Sequence, residues 1–244
     1  MINIHVENVS FSYEQGTEIL KHLSFDVCKR ESVGLIGANG AGKSTLLKLL
    51  VGLNPAYSGT IQIGEYPVKK QYLPQIRAKL GYVFQDSDSQ LFMSTVYEDI
   101  AFAPRNYGLS PEETDQRVNQ ALELTGIGHL RDRQIHRLSG GEKKLVSIAT
   151  ILSMMPEALL MDEPSIALDP HNRRNLIRIL NSLGQPKIIA SHDLDMILET
   201  CSRTILLSGG EIVCDGRTEE ILRNRELLEA NGLELPLCMQ AYDR

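Results

Sequence analysis

Gly37-Ala38-Asn39-Gly40-Ala41-Gly42-Lys43-Ser44-Thr45 is the stretch on which the fold turns. It fits the pattern G-x-x-x-x-G-K-[ST], a match that means something only between a strand and a helix. Ser32-Val33-Gly34-Leu35-Ile36, just before it, is a short apolar run that reads as a buried strand. Leu46-Leu47-Lys48-Leu49-Leu50-Val51, just after it, reads as a helix. Glycines let successive backbone N–H groups point inward and approach an anion closely. The helix that begins near Gly42 adds its positive end. Lys43 can then reach the β- and γ-phosphates of a nucleotide, and the Ser44 hydroxyl can ligate Mg²⁺.

The chain has 244 residues, 42% of them hydrophobic, which is enough to bury the core of one large α/β domain or two small ones. A net charge of −6 argues against a surface built to embrace nucleic acid, which needs a basic patch or stripe. Cys28, Cys201, Cys214 and Cys238 lie far apart and form no C-x-x-C pair, so reduced thiols are expected rather than a zinc site or a dithiol. The first residues have no basic region followed by a long apolar stretch, and no run approaches about 18 apolar residues. Neither a signal peptide nor a membrane span is expected, so any action at a membrane goes through a partner.

Outward from the loop, Ile2, Ile4, Val6 and Val9 nearly alternate with polar residues, and residues 19–28 repeat the pattern, as half-buried strands do. Between them, Phe11-Ser12-Tyr13 precedes a turn-like stretch at 14–17. Tyr13 either stacks on an adenine face or packs on the rim of the sheet. Residues 54–59 read as a loop punctuated by Pro55 and Gly59, and 60–63 and 80–84 as short strands, the second ended by Gln85. From 86 to about 137 strand signals give way to helical ones. One helix covers 95–103; another is opened by Ser110, Pro111 and Glu113, an N-cap, a first-turn proline and a capping box, and runs to Leu124. This stretch reads as a helical insert in an α/β core. A further helix begins at Leu138-Ser139-Gly140-Gly141-Glu142 and runs to about Met155, with Leu145, Ile148, Ala149 and Leu152 at helical spacing and Pro156 as the stop. Strand 158–161, helix 172–183, strand 187–191 and helix 194–200 follow. Strands 204–207 and 211–214, joined through Gly209-Gly210, read as a hairpin ahead of a last helix and tail.

Three further groups carry chemistry. Asp162 and Glu163 end an apolar strand; in a phosphate-loop protein a strand-end Asp lies beside Mg²⁺. Glu163, one residue on, is placed to orient or deprotonate a water that attacks the γ-phosphate, unless the pair is only a solvated acidic turn. Ser139-Gly140-Gly141 sits at a helix N-terminus, whose unpaired N–H groups make a second anion site. His192 follows a strand that ends near the same sheet edge, where it can sense phosphate.

With these motifs in this order, the chain resembles the ATP-binding cassette ATPases over essentially its whole length. The resemblance implies an α/β P-loop NTPase core with an N-terminal antiparallel β subdomain and an inserted helical subdomain. It implies one ATP-binding domain over 1–244: a catalytic core at about 1–85 and 157–215, a helical subdomain at about 86–156, and a C-terminal helix and tail at about 216–244. In that family's terms Gly37 to Thr45 is the Walker A loop, binding ATP and Mg²⁺, with Gln85 the glutamine loop and a further Mg²⁺ ligand. Leu138 to Glu142 is the signature, Ala158 to Asp162 the Walker B strand and Glu163 the catalytic glutamate. Ser165 to Asp169 is the D-loop, His192 the switch histidine, and Tyr13 stands at the position of the adenine-stacking aromatic. Glu142 departs from the family's usual glutamine; Ser139 and the N–H groups around Gly141 would still meet a γ-phosphate, so activity is expected to survive. The resemblance also implies a head-to-tail dimer with an identical or closely related ATPase. In each ATP site Lys43, Ser44, Gln85, Asp162, Glu163 and His192 come from one protomer, and Ser139 and Gly141 from the other.

A narrower similarity lies in Val83-Phe84-Gln85-Asp86-Ser87-Asp88-Ser89-Gln90-Leu91-Phe92, with residues 95–104, 139–149 and 233–236. These are similar to the energy-coupling-factor branch, especially its cobalt and nickel importers. That implies an ATPase subunit peripheral to the cytoplasmic face of the cell membrane, driving uptake through integral membrane subunits. A vitamin importer, or a non-transport cassette acting on nucleic acid or on an assembly, is the alternative. The six histidines show no ligand spacing, so a transported ion would be recognised by a membrane partner. Leu91, Phe92 and Val96 either fill the core of the helical insert or line a groove for a partner's helix.

Overall fold

A computed structural model of the chain describes residues 2–240 apart from 14, 15, 17 and 55. Most of the turn expected at 14–17, and Pro55 of the 54–59 loop, lie outside the described residues. In chain order the elements are β1 (Ile4–Phe11), β2 (Leu20–Val27), β3 (Ser32–Ile36), α1 (Lys43–Leu50), β4 (Ser58–Ile63), β5 (Tyr66–Pro67), α2 (Leu73–Lys79), β6 (Leu80–Val83), α3 (Val96–Asn106), α4 (Pro111–Thr125), α5 (Gly140–Leu152), β7 (Ala158–Asp162), α6 (Pro170–Ser182), β8 (Lys187–Ala190), α7 (Leu194–Thr200), β9 (Arg203–Ser208), β10 (Glu211–Arg217), α8 (Thr218–Arg223) and α9 (Arg225–Ala230). They fall into two compact units. One comprises Met1–Leu80, Glu157–Asp162 and Gly184–Arg244; the other comprises Gly81–Pro156 and Glu163–Leu183.

The first unit holds two sheets. The antiparallel one has the order β2-β1-β4-β5. Its alternating residues Ile4 and Val6 are buried, facing Val27 and Phe25 on one side and Ile63 and Ile61 on the other. In the other sheet the strands of this unit run β10-β9-β3-β8-β7, with β9, β3, β8 and β7 mutually parallel. Strands β3, β7 and β8 are buried almost throughout, which is why they read as unbroken apolar runs. Leu35 and Asp162 both pair with Ala190, so the carboxyl ends of β3, β7 and β8 finish level. Ligands of open α/β sheets bind outside that edge. The expected hairpin is β9–β10, turned by Gly209 (φ +55°) and Gly210 (φ +84°), as a two-residue turn of this hand requires.

The second unit is built on α3, α4, α5 and α6, packed through Val96, Ile100, Val118, Leu122, Ile148 and Leu176. Helix α4 starts as its sequence demands: Ser110 Oγ accepts the Glu113 N–H at 3.2 Å, Glu113 returns a carboxylate to the Ser110 N–H at 2.9 Å, and Pro111 follows. Helix α3 runs past its expected end, through Pro104 to Asn106. A proline there removes the N–H that would bond the carbonyl four residues back. That carbonyl, Ile100 O, is taken instead by the buried Ser153 Oγ at 3.1 Å. Helix α5 stops at Leu152 rather than near Met155, which lies beyond it in the left-handed region (φ +50°). Helix α2, in the first unit, is not anticipated from sequence. It buries only Ile76, so it shows no apolar stripe to read.

Candidate nucleotide-binding site

The glycine loop leaves β3 and enters α1 under tight constraint. Gly37 has φ +151°, and a Cβ there would lie 2.2 Å from the Leu207 carbonyl oxygen of β9. Gly42 caps α1 at φ +103°, and a Cβ would lie 2.5 Å from Leu20 Cδ2. Only glycine fits either position. Asn39 and Gly40 form the exposed tip of the loop. No side chain caps α1 and no acidic residue sits in its first turn, so its amide end faces the loop as an anion site. Lys43 is buried and turns back on the loop, donating from Nζ to Gly37 O at 2.6 Å and Ala38 O at 3.2 Å. Its positive charge is thereby held against the loop that a polyphosphate would occupy.

Ser44 Oγ donates to Asp162 Oδ1 at 2.9 Å, joining the start of α1 to the end of β7. A hydroxyl and a carboxylate are the hard oxygen donors Mg²⁺ prefers, and the glycine loop with Lys43 suits a triphosphate, so the residues present fit Mg·ATP. His192 is exposed and follows Ser191, whose N–H donates to Leu35 O at 3.2 Å, which sets it at the same sheet edge as Gly37 and Asp162. Tyr13 is 56% exposed and stands edge-on to Phe11, with its hydroxyl 3.3 Å from Thr45 Oγ1. The ring therefore borders the loop and presents most of its surface to solvent.

The remaining candidates belong to the second unit. Gln85 has an exposed side chain, while its carbonyl accepts from Lys144 Nζ at 2.7 Å. Glu163 is buried and left-handed at φ +48°, a conformation that costs energy in a residue with a side chain. Ser139 is exposed and caps α5: its Oγ accepts the Glu142 N–H at 3.3 Å, and Glu142 Oε2 accepts the Ser139 N–H at 2.8 Å. That backbone bond holds the Glu142 carboxyl below its usual range. Gly140 is exposed; Gly141 has a packing reason of its own, since a Cβ there would sit 3.2 Å from the Ala167 carbonyl oxygen. Asp169 caps α6, accepting from the Asn172 backbone at 2.9 Å and side chain at 2.7 Å; the backbone bond holds its carboxyl low as well. Two residues passed over in the sequence, Gln90 and Lys144, grip the Gln85 loop. Lys144 could have been noticed, because it stands four residues before Ile148 on the buried stripe of α5.

A glycine loop between a buried parallel strand and a helix, its serine bonded to a strand-end aspartate, marks the class of P-loop nucleoside triphosphatases. Within that class, residues 20–166 match the family model for the ABC transporter ATPase domain. The chain is 48% identical to a protein of Geobacter sulfurreducens named only as an ABC transporter ATP-binding protein, over 97% of this chain and 95% of that one. It is 40% identical to the energy-coupling factor transporter ATP-binding protein EcfA of Carboxydothermus hydrogenoformans, over 98% and 90% of the two chains. Among solved structures, CbiO1 of Clostridium perfringens, part of the ABC transporter complex CbiONQ, superposes with a TM-score of 0.83 at 35% identity, covering 93% of each chain. This chain belongs to the ABC transporter family, as an ATPase subunit whose ATP hydrolysis energises transport. Among the described residues no helix is long and apolar enough to cross a membrane.

Proposed function

We propose that the chain powers a membrane importer of the energy-coupling-factor type for cobalt or nickel ions, from the cytoplasmic face of the membrane. Residues at about 1–85 and 157–215 act as the catalytic core and those at about 86–156 as the helical subdomain of one cassette, paired with a second copy or a closely related ATPase. The observation that carries the ATPase part is the Ser44–Asp162 bond at the mouth of the glycine loop. The names of the EcfA and CbiO1 relatives support the importer and its cargo. Lys43 and the loop N–H groups hold the β- and γ-phosphates, and Tyr13 stacks on the adenine. Ser44, Asp162 and Gln85 hold Mg²⁺, which when bound neutralises phosphate charge. Glu163 orients the attacking water and takes its proton, and His192 senses the γ-phosphate. Ser139, Gly140, Gly141 and Asp169 serve the site of the opposite protomer.

Replacing the native chain in cells by Glu163→Gln and following uptake of radiolabelled cobalt, nickel and vitamins tests this. Loss of metal uptake with vitamin uptake intact is expected. Loss of vitamin uptake alone would move the chain to a vitamin importer, and uptake untouched throughout would overturn the importer reading.

A further inference from the structure

Lys144 is among the largest fully buried side chains of the protein. An ammonium group at that depth needs close polar partners. Two of them lie in one loop: Nζ donates to Gln85 O at 2.7 Å and to Phe84 O at 3.0 Å. Gln90 ties the same loop to the same helix, α5. Its Oε1 accepts the Phe84 N–H at 3.1 Å, while its Nε2 donates to Ser147 O at 2.6 Å and Thr150 Oγ1 at 2.8 Å. Both backbone groups of Phe84 are therefore tied, directly or through Gln90, to α5, at positions 144, 147 and 150 along one helix face. The more exposed Lys143–Asp88 pair at 2.6 Å adds little, as surface pairs do. The grip is on backbone, which leaves the Gln85 side chain exposed and available to a ligand.

Ser139, the signature serine, caps this same helix. Only five residues, about 7.5 Å of helix, separate it from Lys144. A helix does not bend over that length without a cause such as proline or a bulge. We infer that Lys144 is a positioning residue: with Gln90 it makes the Gln85 loop and α5 move as one piece, so that nucleotide sensed by Gln85 sets the aim of Ser139 toward the opposite site. The inference rests on the proposed dimer, in which Gln85 reads its own protomer's nucleotide and Ser139 completes the other's.

The test is made in the Glu163→Gln chain, whose turnover is blocked, with Mg·ATP, measuring ATP binding to the monomer by equilibrium dialysis and dimerisation by light scattering. Adding Lys144→Met keeps the apolar stem and removes the ammonium. It should leave monomer binding within about twofold and raise the ATP concentration for half-dimerisation on the order of tenfold. Ser153→Ala is the control for stability alone, because it removes the buried bond from just past α5 to Ile100 without touching the loop. It should lower the melting temperature and leave dimerisation unchanged. Normal dimerisation by the Lys144→Met chain overturns the inference, as does an equal defect in Ser153→Ala. Should Lys144→Met fail to fold, Gln90→Leu carries the same expectation and the same refutation. If Glu163→Gln alone does not dimerise with ATP, the dimer reading fails first and this inference falls with it.

Discussion

Glu163 stands one residue beyond β7, buried and in a backbone conformation that glycine or asparagine would adopt more readily. Strain of this kind persists where the surroundings over-determine it, and it clusters at functional sites. Its carboxylate is the group assigned to the attacking water, and Gln is its nearest isostere. Glu163→Gln should fold normally and bind ATP, while turnover measured by phosphate release falls roughly 10²–10⁴-fold. Hydrolysis at the parent rate would remove Glu163 from its role. Glu142 shows the opposite use of a carboxylate. Where the family's usual residue is neutral, this one spends its charge on the Ser139 N–H, completing a capping box at the end of α5.

At the scale of elements, the segment from β6 into α3 separates two readings that the sequence left open. Leu91 and Val96 are buried and fill the core of the helical unit. Phe92 is 64% exposed, edge-on to Phe102 with ring centroids 4.7 Å apart. It borders a groove of about 360 Å³ whose floor includes Leu91 and Ile135 and whose rim carries Asp88 and Lys143. The buried Asp99 carboxylate fixes this presentation, accepting the Phe92 N–H at 3.3 Å and the Met93 N–H at 3.2 Å, and burial pushes its pKa up. On the importer reading proposed above, an amphipathic helix of a membrane subunit, anchored by a few apolar side chains, would occupy this groove. Phe92→Ala should leave the melting temperature and the ATPase rate of the isolated subunit near normal, and sharply reduce co-purification with the membrane subunits. A core phenylalanine would instead cost about 3–5 kcal/mol, so a fall of many degrees would return Phe92 to the core. No change in either measurement would end both readings.

At the scale of the whole molecule, the signature is expected to act across an interface, and Ser139 is exposed at the tip of α5 as that requires. Ser139→Arg sacrifices a cap worth about 1 kcal/mol, which a folded cassette tolerates. It puts bulk and charge where the opposing phosphate would lie. Nucleotide binding by the monomer should persist and ATP-driven dimerisation, sized by light scattering, should fail; a variant that dimerises normally would refute a signature acting in trans. What the sequence determined by itself is local: the glycine loop, the apolar runs of β3, β7 and β8, and the Ser110 and Ser139 starts of α4 and α5. Each rests on residues within a few positions of one another, so backbone preference and burial pattern suffice to read it. Helix α2 escaped because one buried residue makes no pattern. The motif reading already placed Ser44 and Asp162 at one Mg²⁺, but the tertiary structure alone decided that Ser153 takes the carbonyl freed by Pro104. It also decided that Lys144 closes on the Gln85 loop and that Phe92, not Leu91, faces outward. These depend on sheet register and helix packing, which bring together groups far apart in the chain, and no short stretch of sequence records which partner a buried polar group will find.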